Sequence, residues 1–419
     1  LASFSPERYL DSLEPIGWRL GLERMHRLTT ALGLPQHRFA SVHVVGTNGK
    51  SSVTRMTAAL LQAHGLRAGA CVSPHTVRWS ERTLIGGLEV GAAEWAAAVE
   101  AVARAAEGVD RSLEEGDAVT QFEAATAAGF LALANAGVQA AAIEAGLGGR
   151  LDATNTIPSK VTVLTSVGLD HTEWLGETET EIAAEKLAVL RDQTTLVLGG
   201  VSFEVEELAE RTARQRGARL IRAAEDPGSE VQLLARGGFQ RRNFAISVAA
   251  AEAFLGELDP ALVREVGSTL AIPGRLERVA EQPPTYLDAA HNPDGAAALA
   301  EALSEVAGDR PVIACLAILA DKDAEAMIGA LAPALELAVC TELPPQALEG
   351  HGRPGARSHP AAALFEACRG AGLAAEVEPR FAEALRLGRA LAERAEGVLL
   401  LAGSHYAIAP ARAVLCDDS

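Results

Sequence analysis

Short apolar runs and longer apolar stripes alternate along most of the chain. Ser41-Val42-His43-Val44-Val45 reads as a buried strand closed by Gly46. A helical stripe follows from about Ser52, carried by Val53, Met56, Leu60 and Leu61. Ala70-Cys71-Val72, Ala140-Ala141-Ala142-Ile143, Val161-Thr162-Val163-Leu164 and Thr195 to Leu198 read as further strands. Residues 91–107 and 120–136 between them read as alanine-rich helices. Upstream, Tyr9, Leu13 and Ile16 share one predicted helical face, and Leu20, Met25 and Leu28 another. This alternation predicts an α/β domain with a largely parallel sheet. Its polar residues fall at the carboxyl ends of strands, the ligand-binding side of such sheets.

The pattern restarts near Ala271-Ile272-Pro273-Gly274-Arg275. Thr285-Tyr286-Leu287, Pro311 to Leu316, Leu337 to Cys340 and Gly397 to Leu401 read as strands separated by helices, and Gly350 to Gly355 as a loop. We therefore expect a larger domain over residues 1–269 and a smaller α/β domain over 270–419. No internal repeat or low-complexity linker interrupts them.

Composition narrows the class. A length of 419 residues supports a substantial core in two or three domains. No charge-free run is long enough to cross a membrane. The opening LASFSPERYL lacks a basic region followed by an apolar one, so no signal peptide is expected, and the missing initiator Met leaves room for residues ahead of Leu1. Thirty-seven basic against 55 acidic side chains give −18, which disfavours a nucleic-acid partner. The five cysteines show no CxxC spacing and no clustering, so a reduced cytoplasmic protein is expected.

The chemistry centres on Gly46-Thr47-Asn48-Gly49-Lys50-Ser51-Ser52, between a strand and a helix. Glycines let backbone N–H groups turn toward phosphate oxygens, and the helix points its positive end at the same anion. Lys50 would reach the β- and γ-phosphates of a nucleotide, and Ser51 or Ser52 the accompanying magnesium. The spacing is not that of a standard Walker A motif, because only two residues separate Gly46 from Gly49. Glu144 ends an apolar strand and is a candidate magnesium ligand, with Ser73 of Ser73-Pro74-His75 a second oxygen donor. Taken alone, His171 reads as a structural histidine and Lys186 as a surface lysine on a helix.

Taken together, the motifs resemble those of folylpolyglutamate synthases and dihydrofolate synthases of the Mur-ligase superfamily. The resemblance is carried by His43 to Lys50, Ser73-Pro74-His75, Glu81-Arg82, Gly146 to Asn155, Gly168 to Gly176 and Glu185-Lys186. Pro273-Gly274-Arg275, Asp288 to Pro293, Asp321-Lys322-Asp323 and Gly403-Ser404 extend it to the end of the chain. It implies an α/β Mur-ligase-like fold, with a P-loop ATP-binding domain and a smaller C-terminal glutamate-ligase domain. It implies ATP and Mg2+, with folate or dihydropteroate and L-glutamate as substrates. The activity would be ATP-dependent glutamate addition through an acyl phosphate, combining both synthase activities in a monomer. Monofunctional versions, another Mur-type ligase and an inactive ATP-binding protein are the alternatives.

By resemblance, Ser73 and Glu144 serve one magnesium site and His171 a second, organised by a carbamylated Lys186. Asn243, Arg275, Asp288 and His291 match nucleotide-side positions, while the Gly146–Asn155 loop and the Ser73-Pro74-His75 region are candidates for pterin contacts. His291, Asp321 or Lys322 are candidates to act near the glutamate amine, His291 equally to contact ATP, and Asp321 and Lys322 are placed near the active site. The chain departs from the family pattern at Ser51 and Ala289, where glycine is usual, at Ala145, where valine is usual, and at Leu187-Ala188, where Ala-Gly is usual.

Overall fold

The computed structural model describes residues 4–14, 21–348 and 355–417. Ile16 and Leu20 of the predicted N-terminal faces, and Gly350 to Pro354 of the predicted loop, lie outside them. The chain divides into two compact units: Leu1–Gln232 with Arg242–Leu270, and Leu233–Arg241 with Ala271–Ser419.

The first unit is built on eight strands: β1 (Ala40–Val45), β2 (Ala68–Cys71), β3 (Thr83–Ile85), β4 (Leu88–Glu89), β5 (Ala140–Glu144), β6 (Val161–Leu164), β7 (Thr195–Leu198) and β8 (Arg219–Arg222). Their order across the sheet is β4-β3-β2-β5-β1-β6-β7-β8. The six strands from β2 to β8 in that order run parallel, and β3 and β4 add an antiparallel hairpin at one edge. The central strands are apolar on both faces because helices cover both, as parallel sheets require. Register aligns their carboxyl ends, with Val44 opposite Glu144 and Val45 opposite Leu164.

Helices Lys50–Ala63, Ala92–Asp110 and Gln121–Asn135 realise the predicted stripes. Beneath the first, Ala58 packs with Ala70, Leu84 and Ala142 in a patch dominated by alanine. Gln121–Asn135 is nearly all buried, and a reciprocal cap of Thr120 and Glu123 closes its first turn. Glu123 Oε2 also accepts from Arg24 Nε at 3.0 Å, an ion pair sealed from solvent. The N-terminal faces are shorter than their pattern suggests: helices cover Pro6–Ser12 and Glu23–Ala31, and Leu13 is already outside the first.

The second unit carries β9 (Glu277–Glu281), β10 (Pro284–Leu287), β11 (Val312–Leu316), β12 (Leu337–Cys340), β13 (Ala374–Val377) and β14 (Val398–Ala402). Their order is β13-β12-β11-β14-β10-β9, parallel except for β9 at the edge. Aliphatic cores fill both faces of this sheet. The expectation that the cysteines stay apart is corrected here. Cys340 on β12 and Cys368 on the helix Ala361–Gly370 bring their sulfurs to 3.7 Å. Twenty-seven intervening residues hid a contact made by packing a helix on a strand. Among the described residues no helix is long and apolar enough to cross a membrane.

Candidate active site

β1 delivers the glycine loop at its carboxyl end. A side chain at Gly46 would put its Cβ 1.9 Å from Thr165 Oγ1, and one at Gly49 would sit 2.5 Å from Asn243 Oδ1. Gly49 also has φ of +82°, which glycine adopts without strain. The end of β6 braces the loop. Thr165 Oγ1 donates to the Asn48 carbonyl at 2.6 Å, Asn48 N donates to Ser166 Oγ at 3.0 Å, and Thr47 N to the Ser166 carbonyl at 2.9 Å. Thr165 and Ser166 carry no motif that sequence pattern could flag, being two small hydroxyl residues after a strand. Lys50 opens the following helix and donates to the Thr47 carbonyl at 3.0 Å.

Glu144 is buried one strand away. Its Oε1 accepts from Ser51 Oγ at 2.8 Å and its Oε2 from the Ser73 backbone N–H at 2.8 Å. The structure thus gathers Ser51, Ser73 and Glu144 at the loop, with Ser52 buried in the first turn of the helix. Asn243 lies against Gly49 from the helix Gly238–Leu255.

Lys186 is not the surface lysine that periodicity suggested. It is only 4% exposed, on the helix Glu179–Leu187, and its Nζ donates to the Gly46 carbonyl at 2.9 Å. Burial, and then the Lys50 charge, push its ammonium down to about 7, while Asp170 and Asp152 pull in the opposite direction. Gly149 lets this helix approach, because a Cβ there would meet the Glu185 and Lys186 carbonyl oxygens at 2.8 and 2.9 Å.

His171 ends the loop that follows β6. It takes a left-handed conformation, φ +53°, at the start of a short helix, Thr172–Leu175. Its backbone N–H donates to Asp170 Oδ1 at 3.0 Å.

The Gly146–Asn155 segment spends its polar groups on itself. Asp152 accepts from Leu147 N at 2.9 Å, Thr154 N at 3.0 Å and the Thr154 hydroxyl, while Asn155 Nδ2 donates to the Arg150 carbonyl at 2.8 Å. Burial raises the Asp152 carboxyl and these bonds oppose the rise. His43 Nε2 lies 2.8 Å from Thr154 Oγ1, whose proton is already given to Asp152. The ring therefore donates from Nε2. Burial and Arg191 hold His43 down to about 3. Apolar side chains are left facing out nearby: Leu151 on this segment, Leu169 on the loop after β6 and Trp174 on the helix Thr172–Leu175. Similarly, Arg82 Nε donates to His75 Nδ1 at 2.8 Å, and both lie against the Trp79 ring, so the Ser73-Pro74-His75 and Glu81-Arg82 motifs interlock.

Arg275, Asp288 and His291 belong to the second unit. Asp288 is buried and accepts from Leu276 N and Ala290 N, both at 2.7 Å. Burial raises its carboxyl, and Arg275 offsets this. His291 Nδ1 is 2.9 Å from the Ala289 carbonyl. Lys322 and Asp321 sit between β11 and the helix Ala324–Leu331, with the Lys322 carbonyl 3.1 Å from His359 Nε2.

Among the described residues no three His, Cys, Asp or Glu side chains gather as a metal cluster. One buried carboxylate with serine oxygens beside a phosphate loop instead matches magnesium, which keeps several waters and borrows phosphate oxygens.

Two family models match. The Mur ligase middle domain covers residues 44–230, and the Mur ligase glutamate ligase domain covers 274–405. The dihydrofolate synthase/folylpolyglutamate synthase of Mycobacterium tuberculosis is 35% identical over 358 residues, spanning 76% of this chain and 74% of that protein. The structure of Mycobacterium tuberculosis folylpolyglutamate synthase complexed with ADP superposes with a TM-score of 0.88 at 31% identity, covering 97% of both chains. The bifunctional folylpolyglutamate synthase/dihydrofolate synthase of Yersinia pestis, complexed with AMPPNP and Mn ion, gives a TM-score of 0.84 at 28% identity, covering 98% of both.

Proposed function

The chain belongs to the folylpolyglutamate synthase/dihydrofolate synthase family of Mur ligases, and from that premise we propose that it joins L-glutamate to folates at the expense of ATP, combining both synthase activities. The observation that carries this is the grouping of Glu144, Ser51 and Ser73 at the carboxyl end of the strands beside the Gly46–Ser52 loop.

The acceptor is a pterin-linked carboxylate. One of its oxygens attacks the γ-phosphorus of ATP, the bond to the β-bridging oxygen breaks, and an acyl phosphate and ADP form. The amino group of L-glutamate then attacks the activated carbonyl. Collapse of the tetrahedral species releases inorganic phosphate and leaves an amide, with one amine proton passing to solvent. With dihydropteroate the product is dihydrofolate; with a folate that already carries glutamate, the γ-glutamyl tail grows.

Each residue has a task in this scheme. Backbone N–H groups of Gly46–Ser52 and the helix start cradle the phosphates. Lys50 turns from the Thr47 carbonyl to the γ-phosphate and offsets its charge. Asn243 supports the nucleotide side at Gly49. Glu144, Ser73 and Ser52 would hold the magnesium ion of ATP, which when bound would draw charge from the transferring phosphoryl group. Arg275, Asp288 and His291 serve the nucleotide from the C-terminal domain, and Asp321 and Lys322 the glutamate end. Leu151, Leu169 and Trp174 offer an apolar surface suited to an aromatic acceptor.

In this reading Lys186 reacts with carbon dioxide, giving a carbamate and a proton, and the carbamate and His171 would be the residues that hold a second cation. The support is its low proton affinity, since only the neutral amine attacks CO2. The same reading makes the enzyme a cytoplasmic monomer with no obligate protein partner.

The direct test supplies purified protein with Mg-ATP, L-glutamate and either dihydropteroate or tetrahydrofolate, and weighs the products. Glutamate addition to both is expected. Addition to one alone would make the enzyme monofunctional, and addition to neither by folded, metal-replete protein would remove the substrate assignment.

A further inference from the structure

Ser51 follows the phosphate-loop lysine at a position where the family pattern carries glycine, and its hydroxyl makes a contact that glycine cannot. It donates to Glu144 Oε1 across 2.8 Å, and the Ser73 carbonyl oxygen lies 3.3 Å from the same hydroxyl. The second carboxylate oxygen accepts from Ser73 N. Glu144 is therefore tied at both oxygens, from the first turn of a helix and from the loop after β2. Its terminal torsion is one of the broad, two-fold rotors that a free glutamate explores widely. Two bonds to opposite oxygens fix that plane before any cation arrives. A carboxylate oxygen carries two lone pairs, so the Ser51 bond does not by itself remove an oxygen's capacity to bind a cation. A bond between a hydroxyl and an ionised carboxylate is also among the stronger hydrogen bonds.

We propose that Ser51 is a positioning residue for the magnesium carboxylate: its hydroxyl fixes the plane of Glu144 and thereby strengthens the coupling between divalent-cation and nucleotide binding in this chain. The inference rests on the assignment of Glu144 to the magnesium ion of the nucleotide.

The test measures ADP affinity by calorimetry, once in EDTA and once in saturating Mg2+, for the parent enzyme, Ser51→Gly, Ser51→Ala, Ser51→Thr, Glu144→Gln and the double variant Ser51→Ala/Glu144→Gln. The ratio of the two affinities is the coupling. General damage to the loop weakens ADP binding under both conditions and cancels in that ratio. We expect the coupling to fall by about 10-fold in Ser51→Gly and Ser51→Ala, the scale on which residues behind a metal ligand act. Ser51→Thr, which restores the hydroxyl, keeps the parent ratio. The double variant falls no further than Glu144→Gln alone, because Ser51 acts through that carboxylate. A parental ratio in Ser51→Ala beside a collapsed ratio in Glu144→Gln overturns the role of Ser51 and leaves the metal assignment standing. A parental ratio in Glu144→Gln overturns both. An additional loss in the double variant shows Ser51 acting on the cation independently and rejects the positioning role.

Discussion

The Lys186 ammonium donates to the Gly46 carbonyl oxygen across 2.9 Å, tying the end of one helix to the first residue of the phosphate loop. Two lysines, Lys50 and Lys186, thus serve one loop, and the charge of Lys50 disfavours that of Lys186. With a pKa of about 7, Lys186 is largely ammonium at pH 6 and largely amine at pH 8.

Turnover should therefore depend on dissolved carbon dioxide. Adding bicarbonate to CO2-free buffer is expected to raise the rate, and more bicarbonate should be needed at pH 6.5 than at pH 8 (about), because protonation removes the reactive amine. Lys186→Ala should lose roughly 100-fold in turnover. A rate indifferent to bicarbonate at both pH values would exclude the carbamate.

Gly49→Ala should weaken nucleotide binding sharply. The new methyl meets Asn243 Oδ1 at 2.5 Å, in a backbone conformation that alanine resists. Trimming Asn243 to alanine in the same chain removes the steric part and leaves the backbone part. Isothermal titration of ADP into Gly49→Ala, Asn243→Ala and the double variant separates the two, with Asn243→Ala as the reference for the contact Asn243 itself makes; equal affinity of Gly49→Ala and parent would reject the close approach.

Lys50→Ala should reduce ATP use by about 100-fold or more while the fold persists, the scale of losing one charged contact to the transferring group. ADP release and circular dichroism, measured on the same preparation, check both halves of that statement.

His43 gives an acid-side signature of stability. Its folded pKa of about 3 lies below the ordinary 6.5, so the native ring stays neutral while the unfolded one protonates. The resulting stability is complete above pH 6.5 and drains away as the pH falls from 6.5 toward 3. The full shift is on the order of 5 kcal/mol. Denaturant titrations from pH 7 to pH 4 should show a shallower loss for His43→Gln than for the parent. Parallel curves would mean that the ring titrates normally.

Breaking the sealed Arg24–Glu123 pair by Arg24→Met should cost about 3–5 kcal/mol, because Glu123 is left as a buried charge. Adding Glu123→Gln should recover part of that loss. Urea unfolding of the two variants measures the difference.

Much of the fold could be read from the sequence because its signals are local. β1, β5, β6 and β7 are short apolar runs ended by glycine or a polar residue, and the Gly46–Ser52 loop announces itself by composition. Burial of Lys186 could not be read in this way. The helix Glu179–Leu187 carries charges through its length, and only the approach of Gly46 and Gly149 closes over the lysine. Thr165 and Ser166 brace the loop through bonds spanning more than a hundred residues, and the left-handed turn at His171 comes from a residue type that rarely signals one. The β3–β4 hairpin is built from strands of three and two residues, too brief for an alternation pattern to register. Assignment of Leu233–Arg241 to the second unit likewise depends on where that segment packs.

The alanine patch beneath the phosphate-loop helix has an effect that extends beyond packing. Ala58 on the helix and Ala142 on β5 are among the smallest side chains that could separate those elements, and Glu144 lies two residues beyond Ala142 on the same strand. The height of the loop above the carboxylate is thus set by side-chain volume in the layer below, as a shim sets the gap between two plates. A valine at Ala142 would thicken that layer by two methyl groups. The added volume would push the Gly46–Ser52 loop away from the Glu144 carboxylate. Drift at these interior positions would then surface first as altered chemistry, and the interior of the domain is in that sense part of the catalytic apparatus.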